Sequence, residues 1–169
     1  MDDTQPTLLL TRPQAQSAEF LSMCENRIGR RLSVVISPIM RIEPTGAVPN
    51  YSNYATLVFT SANGVAACAP GLPGSNVVTV GERTKLLAQQ AGASAVSLGE
   101  DVSAFLDNAS EIEAPALHCR GLHARGQLTE RLRERGIQSD DVVVYEQVAQ
   151  RLTAAACSLL QGQGHVVVP

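Results

Sequence analysis

From Tyr54 onward the chain keeps a regular beat that few folds accommodate. Thr56 to Phe59 reads as a strand leading to a helix near Asn63 to Ala69, and Val77 to Val80 leads to a helix from about Glu82 to Ala91, stopped by Gly92. Ala95 to Leu98 leads through Gly99-Glu100-Asp101 to a helix near Val102 to Ala109. Ala116 to Cys119 leads to a helix near Ala124 to Arg135, stopped by Gly136, and Asp141 to Tyr145 is a strand again. Short, wholly apolar strands alternating with helices of about ten residues fit parallel strands covered on both faces. The beat therefore predicts a doubly wound α/β sheet of about five strands over roughly 95 residues, enough for one complete small domain.

The two ends of the chain do not belong to that beat. Thr7 to Thr11 is a short apolar strand, Arg12-Pro13 starts a helix at about Gln14 to Cys24, and Val34 to Ile36 is a second strand. Pro38 and Pro44 then bracket an extended segment that reads as a connector. At the far end Glu146 to Thr153 is polar and extended, a short helix covers Ala154 to Gln161, and His165 to Val168 is apolar again. A first βαβ unit at one terminus and a lone strand at the other predict a second, discontinuous domain with the complete one inserted in it. The remaining strands of that second sheet are expected beyond Pro169, so the chain reads as C-terminally incomplete.

Composition narrows the function classes. The 44% hydrophobic and 17% charged fractions fit a globular chain, not a disordered one. A net charge of −3 provides no basic field for nucleic acid or an anionic membrane. Lys85 is the single lysine among 13 cations, and the rest are arginines, whose forked donors suit carboxylates. Cys24, Cys68, Cys119 and Cys157 form no CxxC pair or zinc spacing and read as free, mostly buried thiols in a reducing compartment. The start, MDDTQPT, lacks the basic and apolar regions of a signal peptide, and no apolar run is long enough to span a membrane; the cytoplasm is expected.

Ligands of open parallel sheets bind outside the carboxyl ends of the strands, so the turns there carry the chemistry. They read Thr11-Arg12-Pro13, Thr60-Ser61-Ala62-Asn63, Val80-Gly81-Glu82-Arg83-Thr84, Gly99-Glu100-Asp101 and Arg120-Gly121-Leu122-His123. Four of them set hydroxyl, glycine or arginine groups beside a helix start, where unpaired N–H groups suit anions such as carboxylates. The plainer alternative for LVFTSANGV is an ordinary turn in which Ser61 or Asn63 caps a helix. No turn holds a nucleophile elbow, a phosphate-binding GxxxxGK[ST] loop or a GxGxxG fingerprint.

LLLTRP, PIMRIEP, YATLVFTSANGV, VGERT, HCRG and VVVYEQV, in this order from Thr7 to Pro169, resemble uroporphyrinogen-III synthase. The resemblance implies two flavodoxin-like doubly wound parallel-sheet domains joined by a two-stranded linker, one complete and one partial, with substrate bound between them. Mapped on this chain, 1–38 opens the first domain, 39–46 is a linker strand, 47–144 the complete inserted domain, 145–152 the second linker strand, and 153–169 the return. It further implies cyclisation of hydroxymethylbilane to uroporphyrinogen III, with ring D inverted through a spiro intermediate and water lost, and with no metal or cofactor. The partners implied are that substrate, with hydroxymethylbilane synthase as the enzyme handing it over to a monomer; neither nucleic acid nor a membrane takes part.

The resemblance makes Tyr145 the cleft phenol that assists departure of the hydroxyl as water, against the plainer role of a half-buried packing ring. Thr60, Ser61 and Asn63 match a turn that donates to acetate or propionate groups. Gly81 and Thr84 match a second such turn, Thr84 either capping a helix or binding a carboxylate; Thr11 and Arg12 match the first turn of the other domain. Arg120 and Gly121 match an RG turn, with Arg120 either on substrate or paired with a surface acid. His118 reads as a core or edge residue, His123 as solvent-exposed, and Arg131, Arg133 and Arg135 as a solvated helix face with intrahelical pairs. The competing readings are a flavodoxin-like binding or receiver module, which would want an acidic cluster and a late lysine, and another α/β enzyme acting on a carboxylated or phosphorylated metabolite.

Overall fold

The computed structural model describes residues 5–124 and 127–169. In chain order the elements are β1 (Thr7–Leu10), α1 (Gln14–Ile28), β2 (Val34–Ile36), β3 (Met40–Pro44), β4 (Thr56–Phe59), α2 (Ala62–Cys68), β5 (Asn76–Val80), α3 (Glu82–Gln90) and β6 (Ser94–Gly99). There follow α4 (Val102–Asp107), β7 (Ala116–Gly121), α5 (Leu128–Glu134), β8 (Ser139–Ala149), α6 (Ala154–Gln161) and β9 (Val166–Val167). The chain divides into two compact units, Met1–Ile42 with Gln147–Pro169, and Glu43–Glu146. Among the described residues no helix is long and apolar enough to cross a membrane.

In the first unit β1 lies between β2 and β9, parallel to both. Helix α1 runs past Cys24 to Ile28 because no breaker intervenes before Gly29. Glu25 secures its end, accepting the Leu32 N–H at 3.0 Å and pairing with Arg31 at 3.0 Å. Helix α6 is capped by Thr153, whose hydroxyl accepts the Ala156 N–H at 3.2 Å while its own N–H donates to the buried Ser37 hydroxyl at 2.9 Å.

The second unit carries the beat. Its sheet order is β3-β8-β7-β4-β5-β6, and β8 through β6 are mutually parallel. The expected five strands are joined by a sixth: the Pro-bracketed connector is edge strand β3. Thr45 donates to Val144 O and Gln150 to Ile39 O, so β3 runs antiparallel to β8. The polar stretch after Tyr145 is not separate either, because the strand continues to Ala149 as part of β8. Both faces of the sheet are covered, α2 packing beside α3 and α4 beside α5. Alternation along the strands divides the core accordingly: Val58 and Val78 join Phe105, Leu106, Leu128 and Leu132 in one cluster, and the intervening Phe59 and Val77 are fully buried too.

Some local expectations are corrected. Helix α2 begins at Ala62, one residue before Asn63, because Ser61 rather than Asn63 supplies the cap. Helix α5 is not formed at Ala124; it starts at Leu128 after Gln127, which takes φ +46°, and residues 125–126 of the expected helix lie outside the described residues. Arg133 leaves the helix face to donate to Ser139 O at 2.7 Å and to Asp140 at 3.1 Å, where intrahelical pairs were expected. Of the free thiols Cys68 and Cys119 are buried, Cys24 is half-buried and Cys157 is exposed on α6.

Candidate functional site

The strand order locates a site within the second unit. From β4 the chain winds outward through β5 and β6, then returns with β7 to the other side of β4 and continues to β8. The winding direction therefore reverses between β4 and β7, and at such a switch point adjacent turns diverge to opposite faces and leave a crevice at the carboxyl edge. The turns after β4, β5 and β7 share that edge because the strands are parallel. Tyr145 reaches it as well, being level with Gly121 at the end of β7.

At the crevice, Ser61 has extended backbone and caps α2, its hydroxyl accepting the Gly64 N–H at 3.2 Å. The same oxygen lies 3.0 Å from the Tyr145 hydroxyl. Tyr145 is 6% exposed, and its carbonyl accepts the Leu122 N–H at 2.9 Å. The register shifts between Arg120 and Gly121, and the glycine there admits the tyrosine ring. A Cβ on Gly121 would lie 2.6 Å from Cζ and 2.8 Å from the hydroxyl oxygen of Tyr145, closer than any side chain tolerates.

Thr60 faces β7. Its hydroxyl is 3.4 Å from His118 Nε2, and His118 Nδ1 is 3.4 Å from the Thr129 hydroxyl. His118 is 3% exposed, a core residue as expected. Burial, reinforced by the Arg120 charge, pushes its pKa down to about 4, so the imidazole is neutral near pH 7. Arg120 donates through Nε to Asp141 at 2.6 Å and through Nη1 to Gly121 O at 3.1 Å, which realises the acid-pairing alternative for its guanidinium. His118, Arg120, Thr129, Glu130 and Asp141 line a polar cavity of about 130 Å³.

Gly81 stands at the carboxyl end of β5 with φ +81°, a conformation open to glycine, and its N–H donates to Gly99 O at 2.7 Å. Thr84 lies inside the first turn of α3, 7% exposed, while the cap position is Gly81 with no side-chain cap. Asn63 is half-buried in the first turn of α2. Thr60, Ser61, Arg120, Gly121 and Tyr145 are thus gathered at the switch point, and Gly81 with Thr84 lies one strand along the same edge. In the first unit Thr11 follows β1, its carbonyl accepting the Ile39 N–H at 3.0 Å. Arg12 is exposed, with its guanidinium 5.5 Å from the centre of the Phe20 ring.

Two partners in this arrangement escaped sequence reasoning. The Gly64 N–H that fixes Ser61 was signalled by the cap spacing of three residues. Asp141 had no such signal, since its pairing with Arg120 depends on strands joined side by side. Among the described residues no three His, Cys, Asp or Glu side chains gather as metal ligands.

The family model of uroporphyrinogen-III synthase HemD matches residues 28–168. The fold is similar to the crystal structure of uroporphyrinogen-III synthetase from Helicobacter pylori, with TM-score 0.63 and 17% identity, over 97% of this chain and 72% of that one. It is also similar to a mutant uroporphyrinogen III synthase from Thermus thermophilus, with TM-score 0.54 and 15% identity, over 86% of this chain and 64% of that one. The match thus spans less than two thirds of the Thermus chain. No curated protein matches in sequence.

Proposed function

The chain belongs to the uroporphyrinogen-III synthase family, lyases of tetrapyrrole biosynthesis, and on that premise we propose that it closes hydroxymethylbilane to uroporphyrinogen III with ring D inverted. The observation that carries the site reading is the switch point between β4 and β7, at whose carboxyl edge Ser61 and Tyr145 meet. Tyr145 gives its proton to the departing hydroxyl. The C–O bond breaks with its electron pair going to oxygen, water leaves, and the substrate is left as a cation. The proton lost from carbon at the final ring closure restores the phenol, so the net change is loss of one water.

The turns hold the substrate. Thr60, Asn63 and Thr84 donate to acetate or propionate groups and Gly81 lets them approach the backbone closely, while Ser61 and Gly121 serve Tyr145 and Arg120 is held by Asp141. Thr11 and Arg12 serve the same purpose at the edge of the other sheet. Holding a flexible chain so that its two ends meet supplies much of the barrier reduction, which is why few acids and bases are needed. The two units are read as flavodoxin-like domains with 39–46 and 145–152 as the linker strands. The protein is read as a cytoplasmic monomer that receives its substrate from hydroxymethylbilane synthase.

The test is cyclisation of enzymatically generated hydroxymethylbilane with the product isomers separated by chromatography. Spontaneous closure gives isomer I. Enrichment of isomer III is the expected result, and isomer I alone overturns the assignment.

A further inference from the structure

We propose that Ser61 is a positioning residue that acts through Tyr145, donating its hydroxyl proton to the phenol oxygen so that the phenol's own proton is left for the substrate. The inference rests on the role given to Tyr145 above and adds to it the polarity of the hydrogen-bond chain. Gly64 N–H donates to Ser61 Oγ at 3.2 Å, and Ser61 Oγ lies 3.0 Å from Tyr145 Oη. With one lone pair of Ser61 taken by a backbone donor that cannot turn, a run of donors in one direction, from amide to serine to tyrosine, uses every proton. As the phenol gives up its proton its oxygen gains charge, and the Ser61 hydrogen bond becomes charge-assisted, about twice as strong as a neutral one. The contact thus strengthens on the way to the transition state, the condition for raising kcat and not merely binding.

Gly121 leaves the room that the ring occupies. A Cβ at position 121 would lie 2.8 Å from Tyr145 Oη, so the bare backbone of Gly121 is what allows the hydroxyl to reach Ser61. A serine that only capped α2 would not require the opposing strand to be stripped of its side chain where the ring passes.

A double-mutant cycle in the intact protein tests this. Ser61→Ala should lower kcat about tenfold with KM within about twofold, the size expected for losing one charge-assisted hydrogen bond. Tyr145→Phe should lower it further, and adding Ser61→Ala to Tyr145→Phe should cost nothing more. Ser61→Thr, which keeps the hydroxyl, should restore most of the rate. Because Ser61→Ala also removes a helix cap, Ser61→Gly serves as a second variant: glycine caps nearly as well and has no hydroxyl, so it should fold like wild type and lose the same tenfold.

Equal losses from Ser61→Ala in the wild-type and Tyr145→Phe backgrounds would place Ser61 on the substrate and overturn the proposal, as would a wild-type kcat in Ser61→Gly. Failure of the underlying reading looks different. If wild type yields only isomer I, the synthase assignment falls and this inference with it. If isomer III forms but Tyr145→Phe turns over like wild type, the role of Tyr145 is wrong and so is that of Ser61.

Discussion

Tyr145 is a buried ring whose hydroxyl meets a serine at a sheet edge. Tyr145→Phe keeps the ring and removes the proposed acid, so kcat should fall by about 10²-fold or more, the range for loss of a general acid, with KM little changed. Steady-state kinetics of isomer III formation checks it, and an unchanged kcat removes Tyr145 from the mechanism. His118 bears on stability instead. Its folded pKa, about 4, lies below the unfolded value of 6.5, so the native state binds fewer protons between these limits. Its contribution is fully present above pH 6.5 and is lost as pH falls towards 4, by about 3 kcal/mol at most. His118→Gln should flatten the fall in urea-unfolding free energy across that window, and an identical pH profile would refute it. The plain reading of His118 as a core residue was legible because it sits in an apolar strand. Its threonine contacts were not, because they join residues 58 and 11 positions away.

At the scale of elements, each strand-to-helix turn is set by one or two residues. Gly121→Ala forces a Cβ to 2.6 Å from the Tyr145 ring. Overpacking of this kind should lower stability by about 1 to 3 kcal/mol, seen as a reduced urea midpoint with unchanged slope, and should lower kcat by moving the phenol. Gly81→Ala places a Cβ in the φ +81° region at a cost of about 1 to 2 kcal/mol, measurable in the same experiment. The strands and most helices could be read from periodicity, since apolar runs and glycine stops are local features. Helix α5 was anticipated too early because Ala124 precedes a backbone turn at Gln127 that propensity does not reveal. The connector was seen as extended, as two prolines require, but its place as edge strand β3 depends on a partner about a hundred residues away.

For the whole molecule, the two units differ in how much core they own. Among the described residues, the buried apolar side chains outside 43–146 are Leu9, Leu10 and Ala156, while Phe59, Phe105, Leu72, Leu132 and their neighbours all lie within it. The segment 43–146 expressed alone should therefore unfold cooperatively in urea and give a dispersed amide spectrum; a non-cooperative transition would contradict it. Alternation of strands and helices made the architecture of this segment legible, and the split second sheet followed from the odd strands at the ends. The switch point, on which the site depends, was out of reach, because strand order is decided by long-range pairing.

The insertion also bears on how the protein is made. In the unfolded chain, bringing Ile39 to Gln150 means closing a loop of roughly 110 residues, an entropic cost of about 4 kcal/mol plus a constant. Once the inserted segment is folded, Thr45 and Val144 are already bonded neighbours, and the same closure needs only a few residues on either side. A ribosome also releases β8 and β9 long after β1 and β2, so β1 waits for its second partner, β9, while the middle of the chain becomes the template that returns it.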